Sequence, residues 1–412
     1  MVFDRALLVV EFSKLAGVFA DYRETGHLPE SDEATFLRVA GFITNDVKPD
    51  TSSFKFDLSV LRLAGRCERI FRLRHDGVAT VVLVGAILPA HAFGAQQPEP
   101  IFAGGRGLTM RGALVGCMCE LAERVASRVW APGAAGLDCV SVTSHLPVWS
   151  AAHGMSDDDD CVWVEGMPVG AGAPLSFPWR GREGAFGASA GCAVGSDVRS
   201  ATLSAVLELL ERDAVALWWY GGRKPRKLDQ VDALSAVFGA APSRNRWLVD
   251  LTTERGVPVV AALSSDRTGK GLIVGAAADL SLAAAAHRAA LELCQMEASA
   301  FLSAQKNAEL GDARLTPADR LWVHRLSLTV PDHAYPTEDI FDSEPVKPES
   351  VCAAAGPAYA FDLSIPEMEM TIMRVIAPSL RTMASSCIGE DSVANERERR
   401  LRGQWAHLPP PI

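Results

Sequence analysis

Residues 189–220 read SAGCAVGSDVRSATLSAVLELLERDAVALWWY, and how this stretch divides decides the fold. Its front end, up to Ser196, is too rich in glycine and serine for a helix interior. From Val198 onward Ala, Leu and Val recur at helical spacing, with no breaker before Gly221. The stretch therefore predicts a loop feeding a long helix. Ser196 or Asp197 can accept from the first free N–H groups, which caps the helix and suits its start to an anion such as phosphate. On that helix Glu208, Glu211 and Arg212 fall at i, i+3 and i+4, so two carboxylates and a guanidinium project from one side. Carboxylate pairs of this kind hold Mg²⁺, which in turn holds nucleotide phosphates. An isolated ExxER is more often a solvated helical face with one ion pair.

Repetition tips the balance. Residues 107–124, GLTMRGALVGCMCELAER, superpose on 195–212, GSDVRSATLSAVLELLER, at one offset, since 195 − 107 and 212 − 124 are both 88. Gly107, Arg111, Ala113, Glu120, Leu121, Glu123 and Arg124 find identical partners at Gly195, Arg199, Ala201, Glu208, Leu209, Glu211 and Arg212. A looser third copy, AAHRAALELCQ at 285–295, keeps Glu292 and Gln295 at i, i+3 with Arg288 one turn earlier. Solvated faces have no reason to repeat in register. Three such helices around one centre would assemble a carboxylate-rich cavity for Mg²⁺ and a triphosphate.

The paired ExxER helices, the SxGxAxG stretch from Ser189 to Gly195 and the RxxxExxQ from Arg288 to Gln295 together resemble the YcaO superfamily, over roughly Val60 to the end of the sequence. The resemblance implies an enzyme that uses ATP and Mg²⁺ to phosphorylate a backbone amide oxygen of a precursor peptide, closing Cys, Ser or Thr side chains into thiazolines or oxazolines. It implies Glu120, Glu123, Glu208, Glu211 and Glu292 as ligands of Mg²⁺ and its waters. Arg124, Arg212 and Arg288 would neutralise phosphates or fix those carboxylates, and Ser196 would contact the nucleotide. Arg106 stands where the family has a lysine, and keeps a cation near phosphate. The azoline-forming members end in a proline-rich tail whose terminus assists proton transfer, which points to Pro411 and Ile412, although the tail here is a continuous PPP where the family alternates Pro-x-Pro. Two further departures are Ser200, where a carboxylate commonly precedes the alanine, and Gly116, where a serine is common. A leader-binding partner protein and a flavin dehydrogenase subunit are the implied partners, with self-association or a hetero-complex. Thioamide formation, macroamidine formation and a non-catalytic scaffold role are the rival readings.

The chain has 412 residues, 48% apolar and 22% charged, an ordinary globular composition with ample material for a core. A formal charge of −10 argues against nucleic acid or an anionic membrane as main partner. Nine scattered cysteines without a CxxC pair read as reduced thiols, and Cys117 and Cys119 fall on nearly opposite helix faces. The N-terminal apolar run is too short for a signal peptide and no stretch is long enough to span a bilayer, so a cytoplasmic protein is expected.

Residues 1–54 form an accessory segment with helical patches at 7–22 and 33–45, and 55–412 form the main domain with its proline-rich tail. From Phe54, FKFDLSVLRL, RIFRLRH and VATVVLVGAIL read as strands, and 96–107 as a polar loop into the first helix. The run from Asp157 to Asp160 reads as solvated charge. CVWVEGMPV reads as a buried strand, APLSFPWRGREGAFG as a long loop, RWLVDLTTERGVPVVAALSS and GKGLIVGAAADL as two strands, and MTIMRVIAP as one more. Strand pairs alternating with helices predict a mixed α/β fold built by internal duplication.

Overall fold

The computed structural model describes residues 4–7, 11–43, 51–74, 80–94, 99–129, 162–179, 189–228, 231–238, 244–336 and 344–380. The expected elements at Asp157–Asp160 and at Pro411 and Ile412 lie outside these residues.

Three antiparallel sheets carry the chain. The first orders β1 (Asp4–Leu7), β2 (Arg69–Arg74), β3 (Val82–Leu88) and β4 (Ile101–Gly107) side by side. The second runs β6 (Leu175–Trp179), β5 (Val162–Pro168), β12 (Tyr359–Asp362), β13 (Thr371–Ile376), β7 (Cys192–Gly195). The third runs β11 (Ile273–Ala278), β10 (Val259–Ser265), β9 (Asn245–Asp250), β8 (Arg226–Lys227). Each sheet ends, among the described residues, in a strand that leads directly into a long helix: β4 into α4 (Met110–Val129), β7 into α5 (Val198–Trp219) and β11 into α7 (Leu282–Leu310). The duplicated strand-and-helix order expected from the sequence is the observed one.

Each helix lies against the backbone of its strand, and glycine makes that possible. A Cβ on Gly107 would stand 2.9 Å from the Ala113 nitrogen and one on Gly195 2.4 Å from the Ala201 nitrogen, so the glycines and alanines shared by the two copies are a packing pair. A second contact links the first and third units. Gly105 faces the Ala113 oxygen and Cys117 nitrogen, and Gly275 faces the Ala289 oxygen and Leu293 nitrogen. Those helix positions differ by 176 residues (289 − 113 and 293 − 117), twice 88, so Met296 is the packing equivalent of Glu120. Glu292 thus sits one turn earlier along its helix than the acids of the other two copies.

Helices α1 (Phe12–Thr25), α2 (Asp32–Ala40) and α3 (Thr51–Gly65) cover the first unit, where Leu15, Phe19, Leu37 and Leu61 share a core with Val84, Leu114 and Leu121. A second core lies between α5, β13 and the third sheet, and a third between α7 and the outer face of that sheet, against α6 (Val231–Phe238). Helices α8 (Pro317–Ser327) and α9 (Pro348–Ala354) complete the body.

Several expectations are corrected. FKFDLSVLRL lies within α3: Phe54, Asp57, Leu61 and Ala64 are buried, a three-to-four spacing, and its short run of alternation fits one helical face as well as a strand. Residues 4–7 form a strand where a helical patch was expected to begin. The glycine-rich stretches read as loops are edge strands, β4 within 96–107 and β7 within 189–196. Their glycines answer to helix packing on the strand, which sequence alone does not separate from a turn. Part of APLSFPWRGREGAFG is β6, and RWLVDLTTERGVPVVAALSS holds two strands, β9 and β10.

Candidate functional site

A cavity of about 560 Å³ opens where the edge strands β4, β7 and β11 meet the polar faces of α4, α5 and α7. Glu120, Glu123, Glu208, Glu211 and Glu292 all line it, together with Arg106, Arg124, Arg212, Arg288 and Gln295. The structure thus brings together five of five expected carboxylates and four of four expected arginines. Ser196 is not among the lining residues. It is exposed at the start of α5, its hydroxyl within hydrogen-bond reach of Asp197 and Ser200, and Ser189 lines the cavity instead. Asp197 is the N-cap: its carboxylate accepts from the Ser200 N–H while the Ser200 hydroxyl accepts from the Asp197 N–H. Ser200, where a carboxylate was expected, is spent on this capping box. These hydrogen bonds hold the Asp197 carboxyl below its usual range.

The acids are anchored on sheet edges. Glu120 Oε2 accepts from the Gly104 N–H at 3.1 Å and Glu208 Oε2 from the Gly191 N–H at 3.1 Å, while Glu123 Oε1 takes the Val194 N–H at 3.0 Å. Gly104 and Val194 lie on edge strands, which present unpaired N–H groups, and Gly191 lies in the turn before β7; here the carboxylates satisfy all three. Arg124 joins Glu120 and also donates to the Phe102 carbonyl at 2.7 Å. Arg212 lies 3.6 Å from Glu208 and 3.8 Å from Glu211. Met296, at i+4 from Glu292, offers no cation, and the partner comes from another unit: Arg106 donates to Glu292 at 2.6 Å and to Gln295 at 2.8 Å. Arg288, more exposed, pairs with Asp279 at 3.1 Å.

Burial raises the pKa of Glu123 well above the normal range, with the Glu208 charge adding to it, and raises that of Glu208 also. Glu211 is pushed up to about 8 by burial, against the pull of Arg212 and with Glu292 and Glu208 acting in the same upward direction. Sequence reading missed Arg374, which is buried on β13 opposite Cys192 and whose charge favours ionised Glu208. A lone arginine inside the buried strand TIMRVI was the available signal. The backbone N–H groups of Gly104, Gly191 and Val194 carry no signal in the sequence. Cys117 is buried while Cys119 reaches the cavity, as the helix geometry required. Burial keeps both thiols protonated, and the thiols of Cys192 and Cys294 are pushed up to about 12.

Residues 104–381 match the model of the YcaO cyclodehydratase family, described as ATP- and Mg²⁺-binding. The chain belongs to the YcaO family. The matched span contains every carboxylate and arginine of the cavity, and ATP and Mg²⁺ are the family's cofactors. The fold is similar to that of YcaO from Methanopyrus kandleri bound with AMPPCP and Mg²⁺, at 19% identity and a TM-score of 0.54 over 76% of this chain and 86% of that one. It is also similar to a heterocyclase in complex with substrate and cofactor, at 18% identity and TM-score 0.58 over 82% of this chain; the match spans 53% of the heterocyclase. The E. coli microcin synthetase McbBCD complex matches at 11% identity and TM-score 0.51 over 76% of this chain and 88% of that one. No curated protein matches the sequence.

The residues present fit these cofactors. The donors are carboxylate oxygens, the hard ligands Mg²⁺ requires. Five glutamates face three arginines in contact with them, so two negative charges go unbalanced by contact when all five ionise, and a divalent cation would balance them. Among the described residues no three His, Cys, Asp or Glu side chains already cluster tightly enough to hold an ion, and each of Glu120, Glu123 and Glu208 has one oxygen engaged by a backbone N–H. No described helix is long and apolar enough to cross a membrane.

Proposed function

We propose that this YcaO protein activates backbone amides of a ribosomally made precursor peptide and closes Cys, Ser or Thr side chains onto the preceding carbonyl, giving thiazoline or oxazoline. One observation carries this reading: glutamates from three helices, and arginines from the same three helices and a strand, converge on a single cavity. An amide oxygen is a poor leaving group, and Mg²⁺-bound ATP supplies the phosphoryl group that makes it a good one. Glu120, Glu123, Glu208, Glu211 and Glu292 would hold Mg²⁺ and its waters. Arg106, Arg124 and Arg212 would take phosphate oxygens, for which a planar guanidinium is suited, and Arg288 stands at the rim. The protein's own contribution is placement, charge neutralisation and exclusion of water.

Residues 55–412 would constitute the catalytic domain and 1–54 an accessory layer on its first unit. A structure similar to this one is a multi-protein microcin synthetase complex, and another holds its substrate. This chain is accordingly read as acting with a leader-binding partner, and with a flavin dehydrogenase where azolines are oxidised. The test is the mass of a Cys/Ser/Thr-rich precursor incubated with the chain, its partner, ATP and Mg²⁺. Loss of one water per ring is expected, with ATP hydrolysis stimulated by the peptide. An unchanged peptide mass overturns the reading, and exchange of oxygen for sulfur would identify a thioamide-forming member. Glu208→Gln should lower turnover by about 100-fold while leaving the fold intact, as expected for a ligand to a catalytic metal.

A further inference from the structure

The two ExxER copies share their carboxylates in the same way, atom for atom. Glu120 gives Oε2 to the Gly104 N–H and Oε1 to Arg124; Glu208 gives Oε2 to the Gly191 N–H and turns Oε1 toward Arg212. In the third unit Glu292 gives Oε2 to Arg106. The oxygen tied to a sheet edge is fixed by backbone. In Glu120 and Glu208 the oxygen open to a cation without breaking that tie is the one an arginine faces, hydrogen-bonded in the first copy and 3.6 Å away in the second.

We propose that Arg106, Arg124 and Arg212 are resident counter-ions that make metal binding and nucleotide binding depend on each other. A divalent cation arriving alone has to displace a guanidinium, leaving Arg106 or Arg124 partly buried without its anion and Arg212 with Glu211 alone, which is costly. A cation arriving with a triphosphate gives the displaced guanidinium phosphate oxygens to bind, in the bidentate geometry it favours. The protein thereby disfavours the metal-only state, in which a bare ion could be trapped among carboxylates. The three arginines act on the metal through the acids they pair with, so for the metal they are positioning residues. This inference rests on the nucleotide reading above.

The test measures Mn²⁺ binding to the full chain by electron paramagnetic resonance, with and without AMPPCP. Arg124→Met and Arg106→Met should each bind Mn²⁺ alone about tenfold more tightly than the wild type, while binding Mn²⁺·AMPPCP less tightly, a reversal of sign between the two measurements. Arg124→Lys, which keeps the charge, should return Mn²⁺-only binding toward the wild-type value. A residue that only supported the fold, or only contacted phosphate, would not tighten the metal-only complex. Two variants are used so that loss of folding in one, read by circular dichroism, leaves the other to decide. Mn²⁺-only affinity unchanged or weakened in the folded Met variants overturns the proposal. If the wild type binds no Mn²⁺·AMPPCP at all, the nucleotide reading itself fails. Binding that is present without the reversal removes only the counter-ion role.

Discussion

Glu211 is the most deeply set of the five acids, and its chemistry differs from that of a surface glutamate. Burial raises its pKa from 4.5 to about 8. Between those values the folded state holds a proton that the unfolded state has released, so the stability of the ligand-free protein falls as pH rises through that window and levels off above about 8. Glu123 and Glu208, raised for the same reason, act in the same direction. Glu211→Gln keeps the shape and removes the charge. In ligand-free protein it should shrink the loss of melting temperature between about pH 5.5 and 8.5 by several degrees. An unchanged pH slope would place the titration on other groups. At this scale four of the acids were legible because they recur in register with an arginine one residue or one turn away, and Glu292 because Arg288 stands one turn before it. Ser196 lies outside the cavity lining: of the two residues that could cap α5 the Asp197 carboxylate took that place, and the serine is exposed.

At the scale of elements, α5 was legible from its start at Val198 to its end before Gly221, whereas α3, read as a strand, and the edge strands were not. A run such as IFAGGRG shows neither β-branched enrichment nor clean alternation, because its strand character comes from what packs on it. Gly105 and Gly275 are the positions that let α4 and α7 press onto β4 and β11. A Cβ at Gly105 would stand 2.1 Å from the Ala113 oxygen and one at Gly275 2.1 Å from the Leu293 nitrogen, and neither neighbour is a flexible side-chain end. Gly105→Ala and Gly275→Ala should each destabilise the chain by about 2–3 kcal/mol through forced separation of helix and strand, and should widen the cavity enough to weaken nucleotide binding. Gly17, in α1 with nothing within 4 Å of its Cβ position, is the control. Gly17→Ala should stabilise by about 0.5–1 kcal/mol through helix propensity alone. Urea midpoints of the three variants decide this, and equal effects at all three sites would refute the close-approach argument.

At the scale of the whole molecule, polar side chains of the site join the units across their boundaries. Arg106 on the first sheet holds Glu292 on α7, and Glu123 on α4 holds the Val194 N–H on β7 of the second sheet. The apolar cores are divided among three clusters, so these contacts at the cavity supplement the packing between units with charge. Charge assembled this way is frustrated without a cation, because the acids repel one another across the cavity. Mg²⁺ with a nucleotide should therefore stabilise the molecule as one unit. A ligand at a hundredfold excess over its dissociation constant contributes about 2.7 kcal/mol. With an unfolding entropy of about 2.1 cal/mol/K per residue, that is a rise of about 3 °C in melting temperature for a chain of this length. Calorimetry with Mg²⁺·AMPPCP should show one transition moving upward, with slower amide exchange in α4, α5 and α7 together. If only one of the three helices gains protection, the cavity serves one unit and the three-helix site is refuted.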